Sequence, residues 1–363
     1  LIYFSMNTVL CSVPTENPGS GLRRKRSEGS EGIVPKIAIT HINNWTEKNG
    51  FGPCKFYDMD MLYPSDDDIQ KFFEENKVDV VGLSAVVSTS YLQVKKVSEI
   101  IKKVNQNTLI VCGGYLTAAA NTVLKKTNVD VCVVGDGEIA WVGILKYMKE
   151  HLKTGRNKFD INKLLEIKGI AVLDDNKNLK FSGFGQALAS CHMVFPDFEY
   201  YKSGLLGDDE ALQNYFRPFH NHLSFVTDNR SFEKGRKPMA VSIFSSKGCV
   251  AKCTFCQRGS KGYQIYDLSK LEAYIKNLRD NYNVGFIHRS KKCLDLAINE
   301  ILNDPFDYLN RVKFLFISNH GHFTFDHVGW DPKEWRKYFG FFYDINNNKY
   351  LSPIKVRSLQ LYY

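Results

Sequence analysis

Between residues 36 and 152, short apolar runs alternate with stretches in which apolar positions recur every three to four residues. Buried strands read as the first pattern and amphipathic helices as the second. Strands are predicted at 36–40, 78–84, 108–112 and 130–134, and helices at 66–75, 91–104, 118–126 and 139–152. The clearest helix is 91–104, where Leu92, Val94, Val97, Ile100, Ile101 and Val104 recur at helical spacing. Strands separated by helices of this length need right-handed crossovers and a parallel sheet. The expectation is a doubly wound, Rossmann-like α/β domain over residues 34–155.

The flanking segments are less regular. Residues 1–33 hold a short apolar piece and then a stretch rich in Gly, Ser, Pro and Arg, which reads as a leader or linker. Residues 156–237 are expected to connect two domains. They include a hairpin, 169–173 with 178–182, around the polar turn Asp174-Asp175-Asn176. Residues 238–363 are expected to form a second α/β domain. Its predicted order is a strand at 239–244, a cysteine loop, a helix at 268–278, a strand at 284–288, a helix at 293–302 and a strand at 312–318.

Composition narrows the function classes. Hydrophobic residues make up 44% and charged residues 24%, ordinary for a soluble globular protein. No apolar run is long enough to span a bilayer, and residues 1–10 lack the charged start of a signal peptide. The chain opens on Leu1 rather than Met, as expected of a fragment. The net charge of +9 is concentrated in part at Arg23-Arg24-Lys25-Arg26. No aromatic residue interleaves with that run, so it reads as a solvated loop, and neither a nucleic-acid nor a membrane partner is expected. Nine cysteines, three of them within eight residues, make a poor disulfide framework and a good metal or cluster signature. A reducing, cytoplasmic setting is expected.

The three clustered cysteines are Cys249, Cys253 and Cys256, spaced C-x3-C-x2-C. A cubane cluster has four irons and takes one thiolate on each, so three thiolates leave one corner for a small chelating ligand. Short spacing after a strand keeps all three sulfurs within reach of one cluster, and Gly248 permits a tight turn before the first ligand. A zinc site remains open as an alternative. It would need a fourth ligand, Cys293 or a histidine.

A strand, this cysteine loop with the aromatic Phe255 before the third Cys, and then a helix resemble the start of the radical S-adenosylmethionine (SAM) domain. The resemblance implies a [4Fe–4S] cluster on Cys249, Cys253 and Cys256, with SAM on the open iron and Phe255 against its adenine. It further implies reductive cleavage of SAM to a 5′-deoxyadenosyl radical. An electron donor such as flavodoxin or ferredoxin and a small-molecule or peptide substrate would be the partners. The protein's own share would be to hold the reacting groups dry and aligned.

The order of motifs in residues 78–138 is similar to the cobalamin-binding domain that precedes the radical SAM domain in one large class. The matching pieces run from Val78 to Ser84, from Val111 to Gly114 and from Val134 to Glu138. They are predicted at strand carboxyl ends, where open α/β sheets bind ligands. The resemblance implies a corrinoid site lined by Ser84, Gly113, Gly114, Gly135 and Gly137, with Asp136 and Glu138 in the same turn. Cobalamin domains of mutase type carry Asp-x-His-x-x-Gly, and residues 34–152 lack it, so cobalt would be held without that histidine. Methylation of an unactivated carbon is the reaction expected of this class. A radical cyclase or rearrangement enzyme and a non-catalytic cluster or corrinoid protein are the alternatives.

Two features depart from the pattern. Only 107 residues follow Cys256, whereas a full (β/α)8 barrel occupies about 250 residues. After 284–288, Arg289-Ser290-Lys291-Lys292 replaces the Gly- and acid-rich turn expected to hold the SAM amino group. The barrel is therefore expected to be incomplete, with SAM cleavage impaired. His220 with His222, and His320 with His322, Asp326 and His327, have ligand-like spacing but fall in Asn- and Gly-rich loop sequence.

Overall fold

The segment expected to be a leader contributes an interior strand of the sheet. In a computed structural model, β1 (Thr8–Ser12) is buried along its whole length. It lies between β2 (Lys55–Asp58) and β3 (Val80–Ser84), parallel to both. A five-residue apolar run has no periodicity to declare it, and its partners lie tens of residues away. Strands buried on both faces read as plain apolar runs. The structure describes residues 6–15, 35–155, 158–204, 212, 215–218, 239–241, 243–244, 246–249 and 262–282.

The strand expected at 36–40 is also corrected. It is the start of helix α1 (Ile37–Lys48), whose buried Ile39, Thr40, Asn43 and Thr46 follow a helical period. The Ile-Ala-Ile alternation misleads because the period shows only when the reading continues past Thr40. After β2 come α2 (Met59–Leu62) and α3 (Asp66–Asn76). Ser65 and Asp68 form a reciprocal capping box at the α3 start, where Asp66 and Asp67 also favour the helix dipole.

The remaining elements follow the expected alternation. They are β3, α4 (Tyr91–Val104), β4 (Leu109–Gly113), α5 (Ala120–Lys126), β5 (Val131–Val133) and α6 (Glu138–Thr154). A short helix, α7 (Ile161–Leu165), leads to the hairpin β6 (Ile170–Leu173) and β7 (Leu179–Phe181). The sheet order is β2-β1-β3-β4-β5-β6-β7, with the first five strands parallel and the last two antiparallel. One face packs on α3, α4 and α5 through Phe72, Phe73, Val94, Val97, Ile101 and Val123. On the other face Gly82 leaves room for Trp141 of α6, since a Cβ there would lie 3.0 Å from the indole and 2.8 Å from Leu10. Helices thus cover both faces, and the doubly wound α/β expectation holds.

The hairpin forms as predicted. Asp174 Oδ1 accepts from the backbone N–H groups of Asn176 (3.0 Å) and Asn178 (2.8 Å). It extends the main sheet, however, and so is not part of a connection between domains. The aromatic stretch beyond it supplies α8 (Phe198–Gly204), which covers the β2 edge. There Tyr200 stacks on Phe56 at 5.8 Å, and Tyr201 shares a hydrogen bond of 2.9 Å with Thr40. Covering an edge strand removes a template for unwanted pairing.

The chain divides into two compact units, with the described residues parting at Tyr215 and Phe216. In the second unit, β8 (Arg217–Pro218) pairs antiparallel with β9 (Met239–Ala240). The strand β10 (Ser246–Cys249) pairs antiparallel with β11 (Gly262–Ile265). Helix α9 (Leu268–Tyr282) follows and buries Tyr274, Ile275 and Leu278. Of the strand expected at 239–244, β9 forms at Met239–Ala240, and two further strands, β10 and β11, flank residues 250–261, which lie outside the described residues. The elements expected at 284–288, 293–302 and 312–318 lie outside the described residues. Among the described residues no helix is long and apolar enough to cross a membrane.

Candidate functional site

Strand order reverses between β1 and β3, so the chain leaves their carboxyl ends in opposite directions and opens a crevice there. The register sets one row across this edge: Asp58 of β2 beside Ser12 of β1, Ser12 beside Ser84 of β3, and Ser84 beside Gly113 of β4. Two of these residues, Ser84 and Gly113, were singled out from sequence. Ser12 and Asp58 were missed because β1 reads as a leader.

Gly113 and Gly114 do different work. A Cβ on Gly113 would meet nothing within 4 Å, so this position faces open space. Gly114 has φ +90° and ψ −177°, and its Cβ would lie 2.3 Å from the Ala85 carbonyl oxygen. It is a backbone-to-backbone contact that locks the turn after β3 to the turn after β4. Around that lock the Ala85 N–H donates to the Gly113 carbonyl (2.9 Å) and the Leu116 N–H to the Ala85 carbonyl (3.2 Å). The two turns expose Val86 (53%), Val87 (41%) and Tyr115 (57%). Apolar side chains clustered at a strand-end crevice mark a ligand surface more often than chance exposure does.

The turn after β3 continues through a 3-10 turn, Ser88–Ser90, directly into α4. Neither the 3-10 turn nor α4 has a side-chain cap. Ser90 is fully buried, and its hydroxyl has no hydrogen-bond partner. A hydroxyl-rich turn straight after a predicted strand, Ser88-Thr89-Ser90, was the available sequence signal.

The structure sets Gly135, Asp136, Gly137 and Glu138 apart from this open surface. Gly135 (φ +102°) forms a bridge with Gly185, and a Cβ on Gly185 would lie 2.2 Å from the Asp136 carbonyl oxygen. Asp136 and Glu138 are both buried. Glu138 Oε1 lies 3.3 Å from His41 Nδ1, and His41 Nε2 lies 2.8 Å from the Val194 carbonyl oxygen. The chain from Gly185 to Val194 thus straps this turn to α1.

At the other end of the row lies a buried polar network. Asp58 accepts from the Ser12 and Tyr215 hydroxyls and from the Met61 N–H (3.1 Å). Burial, and then the Asp58 carboxylate, push the Tyr215 phenol well above its ordinary range. Lys36 pairs with Asp60 beside it. A buried carboxylate is tolerated where its lone pairs are filled, as they are here.

Burial also governs the thiols. It raises Cys11, with Asp58 adding to the effect, and it pushes Cys112 up to about 12 and Cys132 well above its usual value. Protonated buried thiols are poor nucleophiles. Iodoacetamide at about pH 8 is expected to modify the exposed Cys191 and to spare Cys11, Cys54, Cys112 and Cys132 until the chain unfolds. Peptide mass spectrometry checks this, and alkylation of Cys112 or Cys132 in the folded protein would contradict it.

In the second unit Cys249 is the last residue of β10, opposite Gly262. Gly248 has φ +87°, and a Cβ on it would lie 2.2 Å from the Gly262 carbonyl oxygen. Where a tight turn was expected before the first cysteine, Gly248 instead lies within β10, paired with Tyr263. Cys253, Phe255 and Cys256 lie outside the described residues, as do Cys293 and the paired histidines His220, His222, His320, His322 and His327 with Asp326. Among the described residues no group of three or more His, Cys, Asp or Glu side chains could hold a metal.

Residues 28–145 match the B12 binding domain family, a span that runs from before α1 into α6 and contains the whole Ser84-to-Glu138 set. A relative, the cytidylyl-2-hydroxyethylphosphonate methyltransferase of Streptomyces wedmorensis, is 26% identical over 236 residues, or 62% of this chain and 41% of that protein. Among solved structures, the cobalamin-dependent S-adenosylmethionine radical enzyme OxsB with aqua-cobalamin bound matches with TM-score 0.50 and 13% identity, over 75% of this chain and 32% of that one. The radical S-adenosylmethionine methyltransferase TsrM of Kitasatospora setae matches with TM-score 0.48 and 14% identity, over 85% of this chain and 53% of that one. The chain spans less than two thirds of the length of each of these proteins.

Proposed function

We propose that this chain is a cobalamin- and SAM-dependent radical enzyme that methylates an unactivated carbon. It would hold the corrinoid on the carboxyl edge of β3 and β4 and a [4Fe–4S] cluster on Cys249, Cys253 and Cys256. The observation that carries the reading is the open surface of Gly113, Val86, Val87 and Tyr115 inside the segment that matches the B12 binding domain. The donor set of three closely spaced thiolates suits a cluster with one free corner.

When bound, cobalamin supplies a transferable methyl group, and the cluster with SAM supplies one-electron chemistry. The chain's own residues do the rest. Gly113 leaves space where a side chain would stand, and Val86, Val87 and Tyr115 offer an apolar bed that excludes water. No histidine occurs in residues 13–36, the connection that leaves the carboxyl end of β1. A protein imidazole on cobalt is therefore not expected from that loop. Gly248, one residue before Cys249 within β10, holds the strand against β11 at a φ that favours glycine. Phe255 would lie against the SAM adenine, and a flavodoxin- or ferredoxin-like protein would deliver the electron. A cytoplasmic setting suits an oxygen-sensitive cluster.

Anaerobic reconstitution tests the proposal. The expected result is about four iron and four sulfide per chain, a cobalamin absorbance that co-elutes with the protein, and 5′-deoxyadenosine released from SAM. Zinc without iron, together with no retained corrinoid, would overturn it. Gly113→Leu should leave the urea midpoint nearly unchanged, within about 0.5 kcal/mol, because its side chain enters open space. The same change should weaken cobalamin binding at least tenfold by filling the bed.

A further inference from the structure

The geometry points to a redox-active tyrosine at the β2 end of the row: Tyr215 gives up an electron and passes its phenolic proton to Asp58, and the neighbouring phenols of Tyr201 and Tyr200 connect it to solvent. This goes beyond the functional reading above and does not depend on it.

Three observations meet here. First, Tyr215 is buried and donates its hydroxyl proton to Oδ2 of the buried Asp58. The other carboxylate oxygen, Oδ1, accepts from the Ser12 hydroxyl and from the Met61 N–H (3.1 Å). The phenolic proton therefore has a defined destination at Oδ2. A phenol that loses an electron becomes a strong acid, so a base held against it eases the loss, as in any assisted proton transfer. Burial, and then the Asp58 charge, raise the Tyr215 phenol and keep it protonated beforehand, so electron and proton leave together.

Second, the rings form a chain toward the surface. The centroids of Tyr215 and Tyr201 are 5.2 Å apart, and those of Tyr201 and Tyr200 are 6.3 Å apart. Phe198 and Phe56 pack beside Tyr201 at 5.7 Å and 5.4 Å. Tyr201 is buried, whereas Tyr200 is half-buried and forms the outer end. Third, the outer phenols face weaker bases. Tyr200 donates to the Cys54 carbonyl (2.8 Å), and Tyr201 shares its hydrogen bond with the Thr40 hydroxyl. A carbonyl and a hydroxyl are poor proton acceptors beside a carboxylate, so an oxidising equivalent that enters at Tyr200 comes to rest on Tyr215. Packing of this edge needs the rings but not the carboxylate, whose burial costs stability that an apolar pair there would not.

The step balances. The Tyr215 O–H bond breaks, its proton goes to Asp58 Oδ2, and its electron passes through Tyr201 and Tyr200 to a one-electron oxidant at the surface, such as an oxygen-derived radical. A thiolate returns the electron and is left as a thiyl radical, while Asp58 returns the proton. Met59 and Met61 follow Asp58 in α2, and the Cys11 thiol is close enough to feel its charge. The sink would spare these oxidisable groups of the core.

Flash photolysis of the purified chain tests the proposal, with a ruthenium polypyridyl photo-oxidant, an irreversible electron acceptor and rapid freezing for EPR. The expected product is a neutral tyrosyl radical whose ENDOR spectrum shows a coupling to an exchangeable proton, the one now on Asp58. Tyr215→Phe keeps the ring and should lose that radical. Asp58→Asn should slow its formation about a hundredfold, the scale of removing a positioned base, and should abolish the slowing seen in D2O. Tyr200→Phe should lower the yield without shortening the lifetime. Circular dichroism checks that each variant is folded, and the wild-type ENDOR spectrum decides for any that is not. No tyrosyl radical in the wild type, a radical without the exchangeable coupling, an undiminished signal in Tyr215→Phe, or an unchanged rate in Asp58→Asn would overturn the inference. An unchanged yield in Tyr200→Phe would overturn the path to solvent.

Discussion

Gly248→Ala is expected to abolish assembly of the proposed iron–sulfur cluster while leaving the seven-stranded sheet intact. Gly248 sits at φ +87°, where side chains are disfavoured by about 1–2 kcal/mol. The larger effect is steric. A Cβ would stand 2.2 Å from the Gly262 carbonyl oxygen, an atom of the paired strand that cannot rotate away. An isolated two-stranded hairpin is marginal in water, so even about 3 kcal/mol of strain suffices to open the β10–β11 pairing. Cys249 then loses its place relative to Cys253 and Cys256. Iron and acid-labile sulfide after reconstitution should fall to background. Far-UV circular dichroism should change little, because β10 lies in the second unit. Gly262→Ala is the informative control. Its φ is +85°, but its Cβ would meet nothing within 4 Å, so it should retain partial loading. Full iron content in Gly248→Ala would show that the hairpin does not hold the first ligand.

Gly114→Ala should destabilise the first unit by about 3–5 kcal/mol, a large share of the 5–15 kcal/mol that a domain of this kind has in total. Its φ of +90° with ψ −177° belongs to a region essentially reserved for glycine, and its Cβ would sit 2.3 Å from the Ala85 carbonyl oxygen. Relief would require the turns after β3 and β4 to part. That would break the Ala85–Gly113 and Leu116–Ala85 backbone hydrogen bonds and scatter Val86, Val87 and Tyr115. The urea midpoint should drop sharply, and cobalamin binding should be lost even where the protein remains folded. Gly113→Ala, one residue earlier, should shift the midpoint by no more than about 0.5 kcal/mol. Equal costs at the two glycines would refute the division of labour between them.

Much of this architecture could be read from residue patterns alone. The helix at 91–104 appears with its predicted bounds because Val94, Val97, Ile100, Ile101 and Val104 recur at helical spacing, whereas Leu92 turns outward and is exposed. The strands β3, β4 and β5 appear within a residue or two, because apolar runs between helices leave few other choices. The hairpin after Gly169 was legible in its polar turn, and the need for glycine at 248 in its place before Cys249. These are local features, decided by spacing and by the chemistry of a few consecutive residues.

What pattern alone could not settle was long-range pairing. β1 is five residues that become an interior strand only because β2 and β3 flank it, and nothing within Thr8–Ser12 announces partners more than forty residues away. The same step across the chain places Ser12 and Asp58 on the row with Ser84 and Gly113. It also separates two adjacent glycines into one that faces open space and one pressed on a neighbouring carbonyl, and it draws Asp136 and Glu138 beneath the strap from Gly185 to Val194. Motif order located the edge of the sheet, whereas only packing between distant segments determined which of its residues remain open to a ligand, since burial belongs to neighbours that sequence proximity does not reveal.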